Sequence, residues 1–128
     1  MKIRFLRLDE VMALHADQIE RNGGGAGVRD LGLLESAVAA PESSFGDGYL
    51  HGTLAEMAAA YLFHLAKNRA FVDGNKRVAA AAMIMFVYLN DGDIVCNEDE
   101  LVELTLGVAT GAKTKAEVAV FLAAHVIW

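Results

Sequence analysis

Residues 78–89 are twelve consecutive apolar residues, the longest apolar run in the chain. A helix that crosses a membrane needs about 20 such residues, so this run predicts a helix buried in a protein core. The sequence Asn90-Asp91-Gly92 follows it, which is typical of a left-handed helix stop. We therefore predict a central buried helix over residues 74–89, around which the other elements pack.

Helical spacing and capping sequences predict the neighbouring elements. Apolar residues at helical spacing favour a first helix, with a face formed by Leu8, Val11, Met12, His15 and Ile19. The glycine-rich segment 22–27 ends it, and a second helix begins after Asp30 and stops at Pro41.

Three further helix starts are marked by capping residues. Capping boxes begin at Thr53, for a third helix that runs to about residue 67, and at Thr114, for the last helix. Asn97, followed by three acidic residues, begins a fifth helix. Short extended pieces are expected at 3–6 and 94–95, but no sheet. The prediction is one domain, residues 1–128, folded as an all-α bundle of about six helices.

Charge and composition restrict the function. The net charge of −6 argues against direct binding of nucleic acid, because no basic face is available for a phosphate backbone. Against this acidic background, basic residues cluster at Lys67, Arg69, Lys76 and Arg77, which favours a small anionic ligand.

Other features concern location and partners. Cys96 is the only cysteine, so no internal disulfide forms, and residues 1–8 do not have the pattern of a signal peptide. A cytoplasmic protein that does not enter a membrane is expected. The mean hydropathy of +0.33 has two explanations that the sequence leaves open. One is the alanine content, and the other is an apolar groove that a partner covers.

The residues just before the central helix predict a phosphate site. Lys76 and Arg77 at a helix start oppose the helix dipole at a cost of about 0.3–1 kcal/mol each, which indicates that they serve a ligand. Gly74 allows a phosphate to approach the backbone closely. Asn75 can donate its amide to a phosphate or cap the helix. Asp73 can hold magnesium on the phosphate, or act as a plain N-cap worth about 1 kcal/mol.

The sequence Phe71-x-Asp73-Gly74-Asn75-Lys76-Arg77 resembles the core of the Fic/Doc motif, His-x-Phe-x-(Asp/Glu)-(Ala/Gly)-Asn-(Lys/Gly)-Arg. The lysine before the final arginine is similar to the Doc (death-on-curing) branch, and similarity to Doc proteins continues over nearly the whole chain. The resemblance implies a compact Fic/Doc-type bundle and a toxin of a toxin–antitoxin pair.

The resemblance also implies an activity and partners. Doc toxins are kinases that use ATP and Mg²⁺ to phosphorylate a threonine of elongation factor Tu, which halts translation, whereas Fic relatives transfer AMP. In the family the acid, here Asp73, holds magnesium, and Asn75, Lys76 and Arg77 hold phosphates. The C-terminal segment of the antitoxin folds into an apolar groove of the toxin.

Arg69 occupies the position of the family's general-base histidine. A guanidinium group has no acceptor and cannot take a proton from a hydroxyl, and losing a general base costs about 10²–10⁴ in rate. We therefore expect a catalytically impaired kinase that retains its phosphate site. His64 does not match the motif position and is not expected to replace the base. An inactivating substitution and a natural pseudoenzyme that binds its partner both remain open.

Overall fold

The computed structural model describes residues 2–128 and confirms the all-α prediction. Within these residues six helices alternate with short connections, and a single 3₁₀ turn follows the second helix. The helices are α1 (Leu8–Asn22), α2 (Leu31–Ala39), α3 (Leu54–Asn68), α4 (Asn75–Leu89), α5 (Glu98–Thr110) and α6 (Lys115–His125).

The centre of the bundle is shared by α3 and α4. The prediction of a buried helix at 74–89 is confirmed for one face of α4, which contributes Met83 and Phe86 to the core. The opposite face is open, because Ile84 and Tyr88 are 41% and 73% exposed. Helix α3 is buried more completely than α4, and it packs against α2, α4, α5 and α6. Its Tyr61 ring packs against Phe86.

The expectation that no sheet forms is wrong. Strand β1 (Ser44–Phe45) pairs antiparallel with β2 (Gly48–Tyr49), and β3 (Asp93–Ile94) pairs antiparallel with β4 (Val126–Ile127). The first pair turns at Gly46, whose φ of +62° suits a tight turn. The second pair brings the end of the chain back beside the segment that follows α4.

Residues 3–6 form no strand in the structure, although residue 94 of the other expected extended piece lies in β3. The backbone N–H of Leu6 donates to the Tyr61 hydroxyl at 2.8 Å. Burial raises the pKa of that hydroxyl far above its ordinary value. The N-terminal segment is therefore tied to the core helix by a buried side-chain hydrogen bond.

Backbone contacts fix the loop between α3 and α4 against the segment before α2. Arg29 and Asp30 both donate their N–H groups to the Ala70 carbonyl, at 2.8 and 3.0 Å, and Val28 forms an isolated bridge with Phe71. These bonds hold the residues of the predicted site at one end of the bundle. No helix in residues 2–128 has the length and apolar character needed to cross a membrane.

Candidate functional site

The loop between α3 and α4 begins and ends in left-handed backbone conformations. Arg69 caps the end of α3 with φ 48° and ψ 49°, and Gly74 caps the start of α4 with φ 75°. The carbonyl of Arg69 accepts a hydrogen bond from Arg29 Nε at 2.8 Å. A Cβ on residue 74 would lie 3.1 Å from Ile19 Cδ1, so the glycine also permits close packing on α1.

His15 of α1 contacts this loop through its imidazole ring. Its ring stacks on Phe71 with centroids 3.8 Å apart and planes 11° apart, and both residues are buried. Its Nε2 lies 2.7 Å from the Asp73 carbonyl oxygen. Because a carbonyl only accepts, Nε2 carries the proton in this contact. The sequence assigned His15 to an apolar helix face, and no local signal connects it to a loop 58 residues away.

Asn75 has a different contact from either of the two roles predicted for it. Its side-chain oxygen accepts from Phe71 N at 3.0 Å, and its amide nitrogen donates to Phe71 O at 3.1 Å. The side chain leans back over the preceding loop, as side chains do at a helix start. Asn75 therefore holds the loop in shape, and Gly74 is the N-cap residue.

Asp73 is held by two backbone donors. Its carboxylate accepts from Gly74 N at 2.8 Å and from Gly25 N at 3.3 Å. These hydrogen bonds, that from Gly74 being the larger effect, lower the pKa of Asp73, so the carboxylate stays ionised at neutral pH. It does not cap α4 as an N-cap side chain would.

The glycine-rich segment after α1 is part of the site. A Cβ on residue 24 would lie 2.7 Å from Asp73 Oδ2, and Gly24 has a φ of +114°. The Gly23 carbonyl accepts from Arg77 Nη1 at 3.2 Å. From the sequence this segment was only a helix terminator, whereas in the structure it lies against both the acid and the terminal arginine of the motif.

A cavity of 340 Å³ opens beside the start of α4 and brings the predicted site residues together. Its lining is formed by Ala66, Arg69, Val72, Asp73, Gly74, Asn75, Lys76, Arg77 and Ala109. No side chain caps α4, so the N–H groups of its first turn are available to an anion. Three cations, one carboxylate and a helix start form an arrangement that suits a polyphosphate.

His64 lies elsewhere in the fold. Its Nε2 contacts Lys115 Nζ of α6 at 3.2 Å, and the same ammonium group contacts His51 Nε2 at 3.0 Å. Burial, and then the charge of Lys115, lower the pKa of His64 to about 4. His64 is not among the residues that line the cavity.

The described part of the chain contains no cluster of three or more His, Cys, Asp or Glu side chains suited to a metal ion. Asp73 is the single carboxylate of the cavity lining. This suits magnesium, which commonly takes one or two carboxylates and obtains its other ligands from water and substrate phosphates. The residues present therefore fit a magnesium ion that arrives with a nucleotide.

The fold and the motif geometry define a known class of protein. Residues 5–87 match the Fic/DOC family, and the chain belongs to it. Among its relatives, "Toxin Doc" of Mycolicibacterium smegmatis is 40% identical over 108 residues, which cover 80% of this chain and 83% of that protein. "Protein kinase doc" of Escherichia phage P1 is 33% identical over 117 residues, which cover 91% of each chain.

Proposed function

We propose that this chain is a Doc-type toxin of a toxin–antitoxin module, built on the site of an ATP-dependent protein-threonine kinase. The observation that carries the proposal is the cavity at the start of α4, which gathers Asp73, Lys76 and Arg77 around an uncapped helix start. Two relatives named for a toxin and for a protein kinase support it. With histidine at position 69, the target would be a threonine of elongation factor Tu.

The start of α4 and three charged side chains of the cavity have roles in this reaction. The N–H groups of the first turn of α4 and the side chains of Lys76 and Arg77 bind phosphate oxygens. Asp73 would hold Mg²⁺, and the ion would supply positive charge to neutralise the phosphates. His15 and Asn75 keep the loop in the shape that presents these groups, through hydrogen bonds to Asp73 and Phe71.

Transfer requires a proton acceptor that the cavity does not provide. As the threonine oxygen bonds to the γ-phosphorus, the bond from that phosphorus to the bridging oxygen breaks and ADP leaves. The hydroxyl proton must pass to a base. Arg69 cannot accept it, and Asp73, whose pKa is lowered by hydrogen bonds from backbone donors, is a weak base that would also hold magnesium. The chain is therefore impaired in transfer by about 10²–10⁴.

A groove of this chain, beside the phosphate cavity, is a candidate binding site for the antitoxin. A groove of 300 Å³ between α4 and α5 is lined largely by apolar side chains, including Val102 and Leu106, which are 50% and 45% exposed. Lys76 and Arg77 line both the groove and the phosphate cavity. An antitoxin C-terminal segment that seats in the groove with an acidic side chain towards these cations would block the phosphate site.

The reaction is tested by restoring the base. Arg69→His protein and the unchanged chain are incubated with γ-labelled ATP, Mg²⁺ and elongation factor Tu, and the target is examined by mass spectrometry. We expect an added phosphate on a threonine with Arg69→His and at least a hundredfold less with the unchanged chain. The double variant Arg69→His with Lys76→Ala controls for contaminating kinases.

An added AMP instead of a phosphate would assign the chain to nucleotidyl transfer. A second candidate function, a non-catalytic module that binds its partner, is favoured by the absence of the base at position 69. Calorimetry with ATP and Mg²⁺ separates the two functions. If the Arg69→His protein has no affinity for the nucleotide, the kinase proposal is wrong and the binding module replaces it.

A further inference from the structure

Arg69 is unlike most other arginines of the chain in its contacts. Three arginines each have a nitrogen within 3.1 Å of a carboxylate oxygen: Arg4, Arg7 and Arg21. The Arg29 guanidinium donates to the carbonyls of Asn68 and Arg69. Within residues 2–128, neither an ion pair nor a hydrogen bond involves the Arg69 guanidinium, and Arg69 lines the same cavity as Lys76 and Arg77.

The charges of the cavity are not balanced. Arg69, Lys76 and Arg77 supply three positive charges, and Asp73 supplies the single negative one. That carboxylate already accepts two backbone hydrogen bonds. In a chain with a net charge of −6, two uncompensated positive charges at the mouth of an uncapped helix start indicate a polyanionic ligand.

We propose that Arg69 is a phosphate ligand, so that this chain binds a triphosphate more tightly than it would with a neutral residue at position 69 while its transfer of phosphate is impaired. A guanidinium fork forms paired hydrogen bonds with phosphate oxygens and cannot accept a proton. Arginine in place of histidine at position 69 thus removes the base needed for transfer and adds a group that binds the substrate's phosphates. This inference rests on the proposed phosphate site.

The lining also indicates which part of a nucleotide is recognised. It contains no aromatic side chain on which a base could stack, and its apolar members, Ala66, Val72 and Ala109, are small or medium in size. Recognition therefore depends on the phosphate chain more than on the base. Inorganic tripolyphosphate is expected to compete with ATP, whereas adenosine is not.

The test is isothermal titration of the whole chain with ATP and Mg²⁺, and separately with tripolyphosphate. We compare the unchanged chain, Arg69→Ala and Arg69→Gln, with Arg21→Ala as a matched control. Arg21 is an exposed arginine of α1 that pairs with Asp17 outside the cavity. Because one charge-assisted contact is lost, we expect the affinity of both Arg69 variants for each probe to fall about tenfold or more. The affinity of Arg21→Ala should change little.

Each outcome has a distinct meaning. If the unchanged chain binds both probes and the two Arg69 variants bind them equally well, this inference is overturned while the phosphate site stands. If the unchanged chain binds neither probe but Arg69→His binds ATP, this inference is overturned, and if neither protein binds, the proposed function itself fails. Arg69→Gln keeps a long side chain, and the backbone carbonyl used by Arg29 is present in every variant. A thermal melt of each protein confirms that it is folded before affinities are compared.

Discussion

Protonation of His64 is predicted to make the fold sensitive to acid. His64 Nε2 accepts from Lys115 Nζ at 3.2 Å, and His51 Nε2 contacts the same ammonium group at 3.0 Å. Burial is the main reason that the pKa of His64 falls from its ordinary 6.5 to about 4, and the charges of Lys115 and then His51 add to it. Because the folded protein disfavours the protonated imidazole, stability is complete above pH 6.5 and is lost as the pH falls towards 4.

The size of the effect follows from the shift. A fall from 6.5 to about 4, at about 1.36 kcal/mol per unit, corresponds to about 3 kcal/mol of unfolding free energy. His64 is partly exposed, so solvent screening reduces this to about 1–2 kcal/mol. The pKa of His51 is also lowered, first by burial and then by Lys115, while Glu56 opposes the shift. His51 therefore adds to the loss in the same direction.

The assay is urea unfolding of the unchanged chain and of His64→Gln at pH values from about 7 to about 4.5. Glutamine does not titrate, while the carboxylates titrate in both proteins, so their contribution cancels in the difference. We expect the unchanged chain to lose about 1–2 kcal/mol more than His64→Gln over this range. Parallel pH profiles for the two proteins would refute the role assigned to burial of the neutral imidazole.

The remaining predictions concern the loop beside Asp73 and the tie to the N-terminal segment. Gly23→Ala and Gly24→Ala share the backbone strain of a positive φ, +77° and +114°, but a Cβ at residue 23 would have no neighbour within 4 Å. Gly24→Ala would place a Cβ 2.7 Å from Asp73 Oδ2, so we expect its magnesium-dependent ATP binding, measured by calorimetry, to be weaker than that of Gly23→Ala. Equal affinities in the two variants would contradict this. Tyr61→Phe would leave the Leu6 N–H buried without its acceptor and should lower the unfolding free energy by about 1–3 kcal/mol in urea. A loss below about 0.5 kcal/mol would mean that water or a shifted backbone replaces the hydroxyl.

Helix starts were predictable from the sequence because their signals are local. The side chains of Thr53, Asn97 and Thr114 each accept from the backbone N–H three residues later, as their capping sequences predicted. The pairing of β3 with β4 had no such signal, because each strand has two residues and the partners are far apart in the chain. This pairing depends on the positions of α5 and α6, which place β4 beside β3, and those positions are set by the packing of the whole bundle.

The candidate site likewise has a part that the sequence predicts and a part that depends on the folded bundle. The order of acid, glycine and cations is contained in one short segment, so the phosphate chemistry could be inferred from the sequence alone. The contacts that fix the segment come from α1 and from the glycines after it, through His15 and Gly25. The cap role predicted for Asn75 was wrong, because Gly74 is the N-cap residue and the hydrogen bonds of Asn75 to Phe71 require the folded loop. Its contact with a phosphate stays a prediction.

The backbone of position 69 explains how the loop keeps its shape with an arginine at this position. Arg69 has φ 48°, a left-handed conformation in which histidine is enriched among residues other than glycine. Its carbonyl is held by Arg29, and Phe71 is held by His15 and Asn75, so none of these contacts uses the side chain at position 69. Exchange between histidine and arginine therefore changes the chemistry of the cavity without removing a contact that supports it. The same reasoning predicts that Arg69→His leaves the loop conformation unchanged, because histidine is among the residues that tolerate this left-handed backbone.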